Sequence, residues 1–322
     1  MPKLGLKSKI AIGIFVALLL MIIGGLFFPA PRPEIHLSAN YGGESPEPFY
    51  TLGPIYITNT LIASWISISV LIGIFYFATR KMKLVPRGLQ NLVEAAVEML
   101  LGFVEGVAGK ENGRRFFPVI ATIFLFVLMN AWMGLLPIFN VIGTGGWGTS
   151  DTLFWGEYSG FMVDTALFRP ANTDINVPLM LALVSFMAVE YWGITSMGFR
   201  QYAGKFFRYG QLLRGLGQLI RGRIKSAVSV LFYGAIDVFV GFLELVSEFV
   251  RIVSFTFRLF GNMTAGEVLI LMMAFLIPVV VAVPFYGLEM ILGFIQALIF
   301  AGLTLVFAVI AVAPHGAKQK AA

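Results

Sequence analysis

Residues 254–267 read SFTFRLFGNMTAGE and lie inside a long apolar tract that runs from about Val238 to Val312. The nearest charged neighbours of Arg258 along the chain are Arg251 and Glu267. A charge at the centre of a membrane helix costs roughly 2.5–3.5 kcal/mol on insertion scales. Arginine cannot avoid that cost by losing its proton, because its pKa stays above about 12. The tract therefore predicts membrane helices, and Arg258 predicts a function that needs a fixed charge inside them.

The composition is that of a membrane protein. Of the 322 residues, 58% are hydrophobic and 12% are charged, whereas soluble domains carry about 25% charged residues. The chain has no cysteine, and its two histidines, His36 and His315, lie in flanking segments, which argues against a metal site. Neither a G-x-x-x-x-G-K-[ST] loop nor a G-x-G-x-x-G motif after a strand is present. We therefore expect no cofactor and no nucleotide binding by this chain alone.

Hydropathy predicts six membrane segments, since a helix needs about 20 apolar residues to cross a bilayer. Pro278 and Pro284 divide the last tract into two helices that form a hairpin. The six predicted segments are Ile10–Phe28, Ile57–Thr79, Phe116–Phe139, Val177–Met197, Ala235–Ile277 and Phe285–Val312.

Basic residues predict which loops face the cytoplasm. With six spans and both termini cytoplasmic, nineteen of the 23 Lys and Arg residues fall on the cytoplasmic side. The exceptions are Arg32 and Arg169 in the opposite loops, and Arg251 and Arg258 in the last tract. The net charge of +6 is thus explained by membrane topology, without a nucleic-acid partner.

The first span has two interpretations. Lys3, Lys7 and Lys9 followed by Ile10–Phe28 resemble a cleavable signal sequence. The apolar run is longer than a usual signal, and the residues around Pro29 make a poor cleavage site, which favours an uncleaved anchor. We expect residues 1–49 to form a signal-anchor-like span with an external loop, and residues 50–322 to form the core membrane domain.

The segments between the spans differ in pattern. Gly88–Val107 carries its apolar residues on one helical face, which predicts an amphipathic helix on the cytoplasmic interface. Pro29–Tyr56 and Asn140–Asp174 are rich in Gly, Pro, Ser and Thr and are predicted to be external loops. The loop Gly198–Ser226 has seven basic residues and no acids. It either contacts anionic headgroups or an acidic partner, or is a solvated loop that obeys the positive-inside rule.

Polar residues of the last hairpin fall on particular faces at about 100° of rotation per residue. One stripe consists of Glu244, Ser247, Arg251, Arg258 and Asn262. Glu267 lies roughly 180° from Arg258 and so faces the partner helix, where Glu289 and Gln296 share a face. The glycines of the quoted stretch are interpreted as close-packing positions: Gly261 and Gly266.

Carboxylates thus lie toward both sides of the membrane, with an arginine between them. Carboxylates and amides hold water and pass protons in intramembrane relays. Because a fixed positive charge interrupts a proton wire and attracts a carboxylate, the pattern predicts two half-channels that meet only through a moving carboxylate carrier. Two structural alternatives remain open. Arg251 can pair with Glu244 and Glu248 near the headgroups, and Glu267 can share a proton with Glu289 and link the two helices of the hairpin.

The motif R-L-F-G-N-M-x-A-G-E, which begins at Arg258, resembles the signature of subunit a of F-type ATP synthase, the stator component of the membrane F0 sector. The resemblance covers about residues 50–312. Its further motifs are Val85-Pro86 with Gln90 and Glu94, Leu128-Met129-Asn130 with Leu135-Leu136-Pro137, Thr173-Asp174-x-Asn176, Leu243-Glu244-x-x-Ser247, and Gln296-Ala297 with Phe300.

The resemblance implies an all-α polytopic fold with a strongly tilted C-terminal hairpin beside a rotating ring of c subunits. It makes Arg258 the essential arginine that faces the ring carboxylate. It assigns Asn262, Glu244 and Ser247 to the cytoplasmic half-channel, and Glu267, Glu289 and Gln296 to the external half-channel, with Asn130 near it. The implied partners are the c-ring, the b subunits and the remaining F0F1 complex in a bacterial inner membrane. The chain itself would make no bond.

The chain departs from the family pattern in three places. The family often has a Glu/His pair where this chain has Glu267 and Glu289. The span Ile10–Phe28 is additional to a five-span core, and Gly198–Ser226 is longer than expected. Two other functions remain: a stand-alone ion channel or secondary transporter, which predicts inverted repeats in both halves, and a membrane scaffold, which needs no buried arginine.

Overall fold

The computed structural model describes residues 16, 19, 50–52, 55–136, 142–152, 156–166, 168–206, 208–220, 224–276 and 282–313. Five helices in this part of the chain are long and apolar enough to cross a membrane. They confirm a helical, multi-pass membrane protein. The predicted span Ile10–Phe28 falls outside the described residues except at positions 16 and 19, so the count of six spans stays a prediction, as does the domain division at residue 49.

Eight helices carry the described fold. They are α1 (Asn59–Thr79), α2 (Leu89–Ala108), α3 (Lys110–Gly134), α4 (Asn176–Met197), α5 (Phe199–Phe206), α6 (Gly210–Ile220), α7 (Ile224–Leu276) and α8 (Ala282–Val312). The candidate spans are α1, α3, α4, α7 and α8. Helix α7 has 53 residues, more than twice the about 20 that an upright crossing needs.

Glycines set the ends of the amphipathic helix α2, which was predicted at Gly88–Val107. Gly88 and Gly109 adopt φ angles of 61° and 77°, in the left-handed region that glycine enters without strain. Gly109 lets the chain turn directly into α3, so α3 begins at Lys110, ahead of the predicted start at Phe116. The connection between α2 and α3 is therefore a single residue.

The predicted external loops contain two antiparallel hairpins. β1 (Tyr50–Leu52) pairs with β2 (Ile55–Ile57), and β3 (Gly143–Thr152) pairs with β4 (Gly156–Ala166). The prediction of loops was wrong here, because Gly, Ser and Thr obscure the apolar alternation by which strands are recognised. Aromatic and β-branched residues within both segments nonetheless favour strands.

The basic segment Gly198–Ser226 is likewise not a loop, since it contains α5 and α6. Gly198 has a φ angle of 81°, and this conformation turns the chain sharply from α4 into α5. Short helices rich in Gly and Arg lack a span-length apolar run, so hydropathy alone does not reveal them.

The chain forms two compact units, each assembled from separate stretches of sequence. Unit 1 comprises Met1–Glu94, Phe124–Val177 and Arg258–Ile299, and unit 2 comprises Ala95–Ile123, Pro178–Phe257 and Phe300–Ala322. In unit 1, the rings of Phe124 and Phe294 pack edge to face with centroids 5.8 Å apart. In unit 2, Phe116 packs on Trp192 at 4.5 Å.

A buried polar contact fixes the start of α4 within unit 1. The Thr60 hydroxyl donates to Oδ2 of Asp174 at 2.9 Å. The other carboxylate oxygen, Oδ1, accepts from the backbone N–H and the side-chain amide of Asn176. The motif Thr173-Asp174-x-Asn176 therefore ties α4 to α1 and satisfies a free N–H at the helix start.

Candidate functional site

Helix α7 turns Arg258 and Asn262 toward the surface of the chain. Leu259 and Met263 are buried, whereas Arg258 and Asn262 are partly exposed, and Gly261 is exposed. A Cβ atom added at Gly261 would meet no described atom within 4 Å. The prediction that Gly261 is a close-packing position is therefore wrong within this chain. The space at Gly261, about one turn along α7 from Arg258, is therefore open within the described chain.

Glu267, about two and a half turns beyond Arg258 along α7, is ion-paired to Arg169, which lies in a segment predicted to be a loop. Nη2 of Arg169 lies 3.2 Å from Oε2 of Glu267, and the two side chains are 7% and 10% exposed. Arg169 precedes the short 3-10 helix Ala171–Thr173. Its one visible signal in the sequence was its place among the few basic residues that break the positive-inside pattern.

Glu289 of α8 lies against the backbone of α7. A Cβ at Gly266 would collide with the Glu289 carboxylate, which confirms Gly266 as a close-packing position. The indole Nε1 of Trp132 donates to the backbone oxygen of Met290 at 3.1 Å, which joins α3 to the same turn of α8. Glu289 therefore lies beside Gly266 of α7. Helix α3 contacts the next residue of α8 through Trp132.

Three further side chains of unit 1 are buried and incompletely hydrogen-bonded. Oδ1 of Asn130, Oγ1 of Thr264 and Nε2 of Gln296 find no partner among the described residues. Nδ2 of Asn130 donates to the backbone oxygen of Phe126 at 3.0 Å. Because buried polar atoms are almost always satisfied by protein or water, these atoms are suited to hold ordered water. Thr264 was not singled out from the sequence.

A second group of charges lies in unit 2. Nζ of Lys205 is 2.7 Å from Oε1 of Glu244 and 3.6 Å from Oε1 of Glu248. Nη1 of Arg251 is 2.5 Å from Oε2 of Glu248, and its guanidinium lies 3.7 Å from the centre of the Phe307 ring. The predicted pairing of Arg251 with Glu248 is confirmed. The predicted pairing of Arg251 with Glu244 is wrong, because Glu244 pairs with Lys205. Lys205 carries no sequence signal beyond its contribution to the positive-inside pattern.

Tyr202 anchors the helix α5 that carries Lys205. The Tyr202 hydroxyl donates to Oε1 of Glu190 at 2.9 Å, and its ring fills the space that a side chain at Gly193 would occupy. Burial raises the pKa of the Tyr202 hydroxyl above its ordinary value, and the hydrogen bond to Glu190 raises it further. Tyr202 therefore stays protonated and acts as a donor.

The predicted site residues divide between the two units. Arg258, Asn262, Glu267, Glu289, Gln296 and Asn130 belong to unit 1, and Glu244 and Ser247 belong to unit 2. Ser247 is exposed on α7. In the described part of the chain, no group of three or more His, Asp or Glu side chains could hold a metal ion. The chemistry that these residues support is proton holding and ion pairing.

Comparison with known proteins gives a consistent set of relatives. The family model described as "ATP synthase A chain" matches residues 61–309. ATP synthase subunit a of Gloeobacter violaceus is 32% identical over 267 residues, 83% of this chain and 89% of that protein. The subunit a of Moorella thermoacetica is 28% identical over 262 residues, 81% of this chain and 94% of that protein. The subunit a of Campylobacter jejuni subsp. doylei is 31% identical over 231 residues, 71% of this chain and 79% of that protein.

Proposed function

The chain belongs to the ATP synthase A chain family, and on that premise we propose that it provides two proton half-channels and an essential arginine to the F0 sector of an ATP synthase. It is a multi-pass membrane component of that complex. In the proposed mechanism, a carboxylate on a rotating c-ring takes a proton from one half-channel and releases it to the other. Ion flow then drives rotation, and this chain makes no bond itself.

The observation that carries the proposal is the open space at Gly261, about one turn along α7 from Arg258. A permanent charge in a candidate membrane span is costly. Helix α7 places Arg258 at a partly exposed position rather than in the buried core. The neighbouring Gly261 leaves room for another helix to approach closely. A ring carboxylate that enters this space would form a charge-assisted contact with the guanidinium.

The external half-channel is proposed to run through unit 1. Glu267 and Glu289 supply carboxylates, and Asn130 and Gln296 supply buried polar atoms that can hold water. Water and carboxylates in series form a proton path. We add Arg169 to this set, because its contact with Glu267 positions the carboxylate that would accept or release the proton.

The cytoplasmic half-channel is proposed to include Glu244, Ser247 and Asn262. Glu244 is partly exposed and Ser247 is exposed, so neither side chain is enclosed within the described chain. Lys205 pairs with Glu244 and thereby holds its carboxylate in a defined position. Arg251 and Glu248 form an ion pair and act as a structural pair beside this path.

The partners and orientation follow from the same proposal. The c-ring would face Arg258, and the b subunits would hold the chain against the catalytic sector. Both termini would be cytoplasmic in a bacterial inner membrane, since nineteen of the 23 basic residues then follow the positive-inside rule.

Reconstitution tests the proposal against a stand-alone channel or transporter. The purified full-length chain in proteoliposomes should show no proton flux under an imposed potential beyond that of empty liposomes. The complete complex should pump protons when ATP is added. If the chain alone conducts protons at the rate found with the complex, the stator proposal is wrong and the chain is an autonomous channel.

A further inference from the structure

The two cytoplasmic helices α5 and α6 have no part in the proposed proton path except for Lys205. Helix α6 is nevertheless firmly packed. A Cβ at Gly215 would lie 2.9 Å from Cγ of Leu231, and a Cβ at Gly234 would lie 2.6 Å from the backbone nitrogen of Leu212. Because Leu231 and Gly234 belong to the candidate span Val228–Leu276, α6 lies against the part of α7 that begins the membrane crossing.

The side of α6 away from α7 exposes large apolar residues. Leu213 and Ile220 are 65% and 86% exposed, and Leu216 and Leu219 are also exposed. The spacing of three and four residues between Leu213, Leu216 and Ile220 places these three along one side of the helix. Beside a membrane span, an exposed apolar stripe on a short amphipathic helix is typical of a helix that lies in the headgroup region.

The segment that carries this stripe has charges of a single sign in its own sequence. Residues 198–226 contain seven basic residues and no acidic residue. Arg200 and Arg214 are exposed and Arg208 is partly exposed. An acidic protein would satisfy these charges but would leave the leucines in water, whereas an anionic phospholipid offers both a phosphate and an acyl chain. The combination favours lipid as the partner.

A cavity at the end of α5 is the candidate binding site for the phosphate of the lipid headgroup. Its volume is about 170 Å³, and its lining residues are Met197, Gln201, Tyr202, Gly204, Lys205 and Arg208. Nε of Arg208 donates to the backbone oxygen of Lys205 at 3.2 Å, which holds the guanidinium beside the cavity. The terminal amino groups of an arginine match the geometry of a phosphate.

We propose that α5 and α6 form a binding site for anionic phospholipid, with the phosphate in the cavity beside Gln201 and Arg208 and the acyl chains along Leu213 and Leu216. This site adjoins the proposed proton path through Lys205, which lines the cavity and pairs with Glu244. It gives the basic segment a specific function, which is to fix the cytoplasmic end of α7 to the membrane surface.

Fluorescence quenching tests the site directly, because the chain contains no cysteine. A single Leu213→Cys substitution carries an environment-sensitive fluorophore in the full-length chain, reconstituted in phosphatidylcholine nanodiscs. Brominated phosphatidylglycerol or brominated phosphatidylcholine is then added in increasing proportion. Each basic residue near an anionic surface contributes roughly fivefold to binding. Half-quenching should therefore need at least about fivefold less brominated phosphatidylglycerol than brominated phosphatidylcholine.

Two charge-matched variants locate the effect. Arg208→Gln with Arg214→Gln should abolish most of the preference for phosphatidylglycerol, and Lys81→Gln with Arg87→Gln should preserve it. Unchanged quenching by brominated phosphatidylcholine shows that α6 remains in place in both variants. Equal half-quenching by the two lipids in the unsubstituted background would overturn the proposal. If neither lipid quenches the fluorophore, the proposal is also overturned, in favour of an acidic protein partner.

Discussion

Glu267 shows what the sequence reveals about a single charged residue and what it does not. Helical periodicity predicts that Glu267 faces away from Arg258, because rotation per residue is a local property. The same periodicity could not identify Arg169 as its partner, since 98 residues separate the two in the chain. Likewise, the pairing of Arg251 with Glu248 was predictable from i,i+3 spacing, whereas the contact of Lys205 with Glu244 was not.

The pair of Arg169 with Glu267 should be important for both stability and flux. Arg169→Gln leaves a carboxylate buried without its cation, and loss of one partner of a buried pair costs about 3–5 kcal/mol. We expect a lower thermal midpoint for the purified complex and slower ATP-driven proton pumping in membrane vesicles. Adding Glu267→Gln should restore much of the stability and none of the pumping. A stability as low in the double variant as in the single variant would contradict this pairing.

Substitution of Gly266 and of Gly261 by alanine should affect stability differently. Gly266→Ala places its Cβ against the Glu289 carboxylate, and overpacking of this kind costs roughly 1–3 kcal/mol. Gly261→Ala is the matched control, because the space around it is open within the chain. Thermal unfolding of the isolated chain in detergent should show destabilisation by the first substitution only. Equal destabilisation by both would show that the hairpin packs differently.

At the scale of elements, hydropathy predicted the five described spans because each is a run of span length. The β3–β4 hairpin and the helices α5 and α6 escaped prediction. Strands rich in Gly, Ser and Thr and short helices rich in Gly and Arg carry weak periodic signals. Their formation depends on pairing and packing, such as the contact of Gly215 with Leu231, which no local pattern encodes.

The attachment of α5 to α7 should be measurable as a coupling energy. In a double-mutant cycle of Lys205→Gln and Glu244→Gln, contacting residues typically couple by roughly 0.5–3 kcal/mol. Thermal unfolding of the four proteins in the cycle gives this value. A parallel cycle that replaces Lys205→Gln with Lys81→Gln should give no coupling, because Glu244 pairs with Lys205 and Lys81 is an exposed residue. Equal coupling in both cycles would argue against the ion pair.

At the scale of the whole molecule, the positive-inside pattern predicts the side of the membrane on which each segment lies. Lys81→Cys and Trp147→Cys provide two single, exposed labelling sites in a chain without cysteine, and Trp147 is 85% exposed. A membrane-impermeant maleimide should label position 147 in intact spheroplasts and position 81 only in inside-out vesicles. Labelling of both positions from the same side would refute the proposed orientation.

The central claim is that Arg258 couples proton flow to the rotating ring, and ATP-driven acidification of inside-out vesicles measures that coupling. Arg258→Ala should abolish acidification while the assembled complex and its ATP hydrolysis remain detectable. Arg258→Lys should also lose nearly all pumping, because lysine lacks the planar guanidinium and can release its proton. Phe257→Ala is the neighbouring control on the same exposed part of α7 and should retain pumping. Normal acidification by the Arg258→Ala complex would contradict the proposed mechanism.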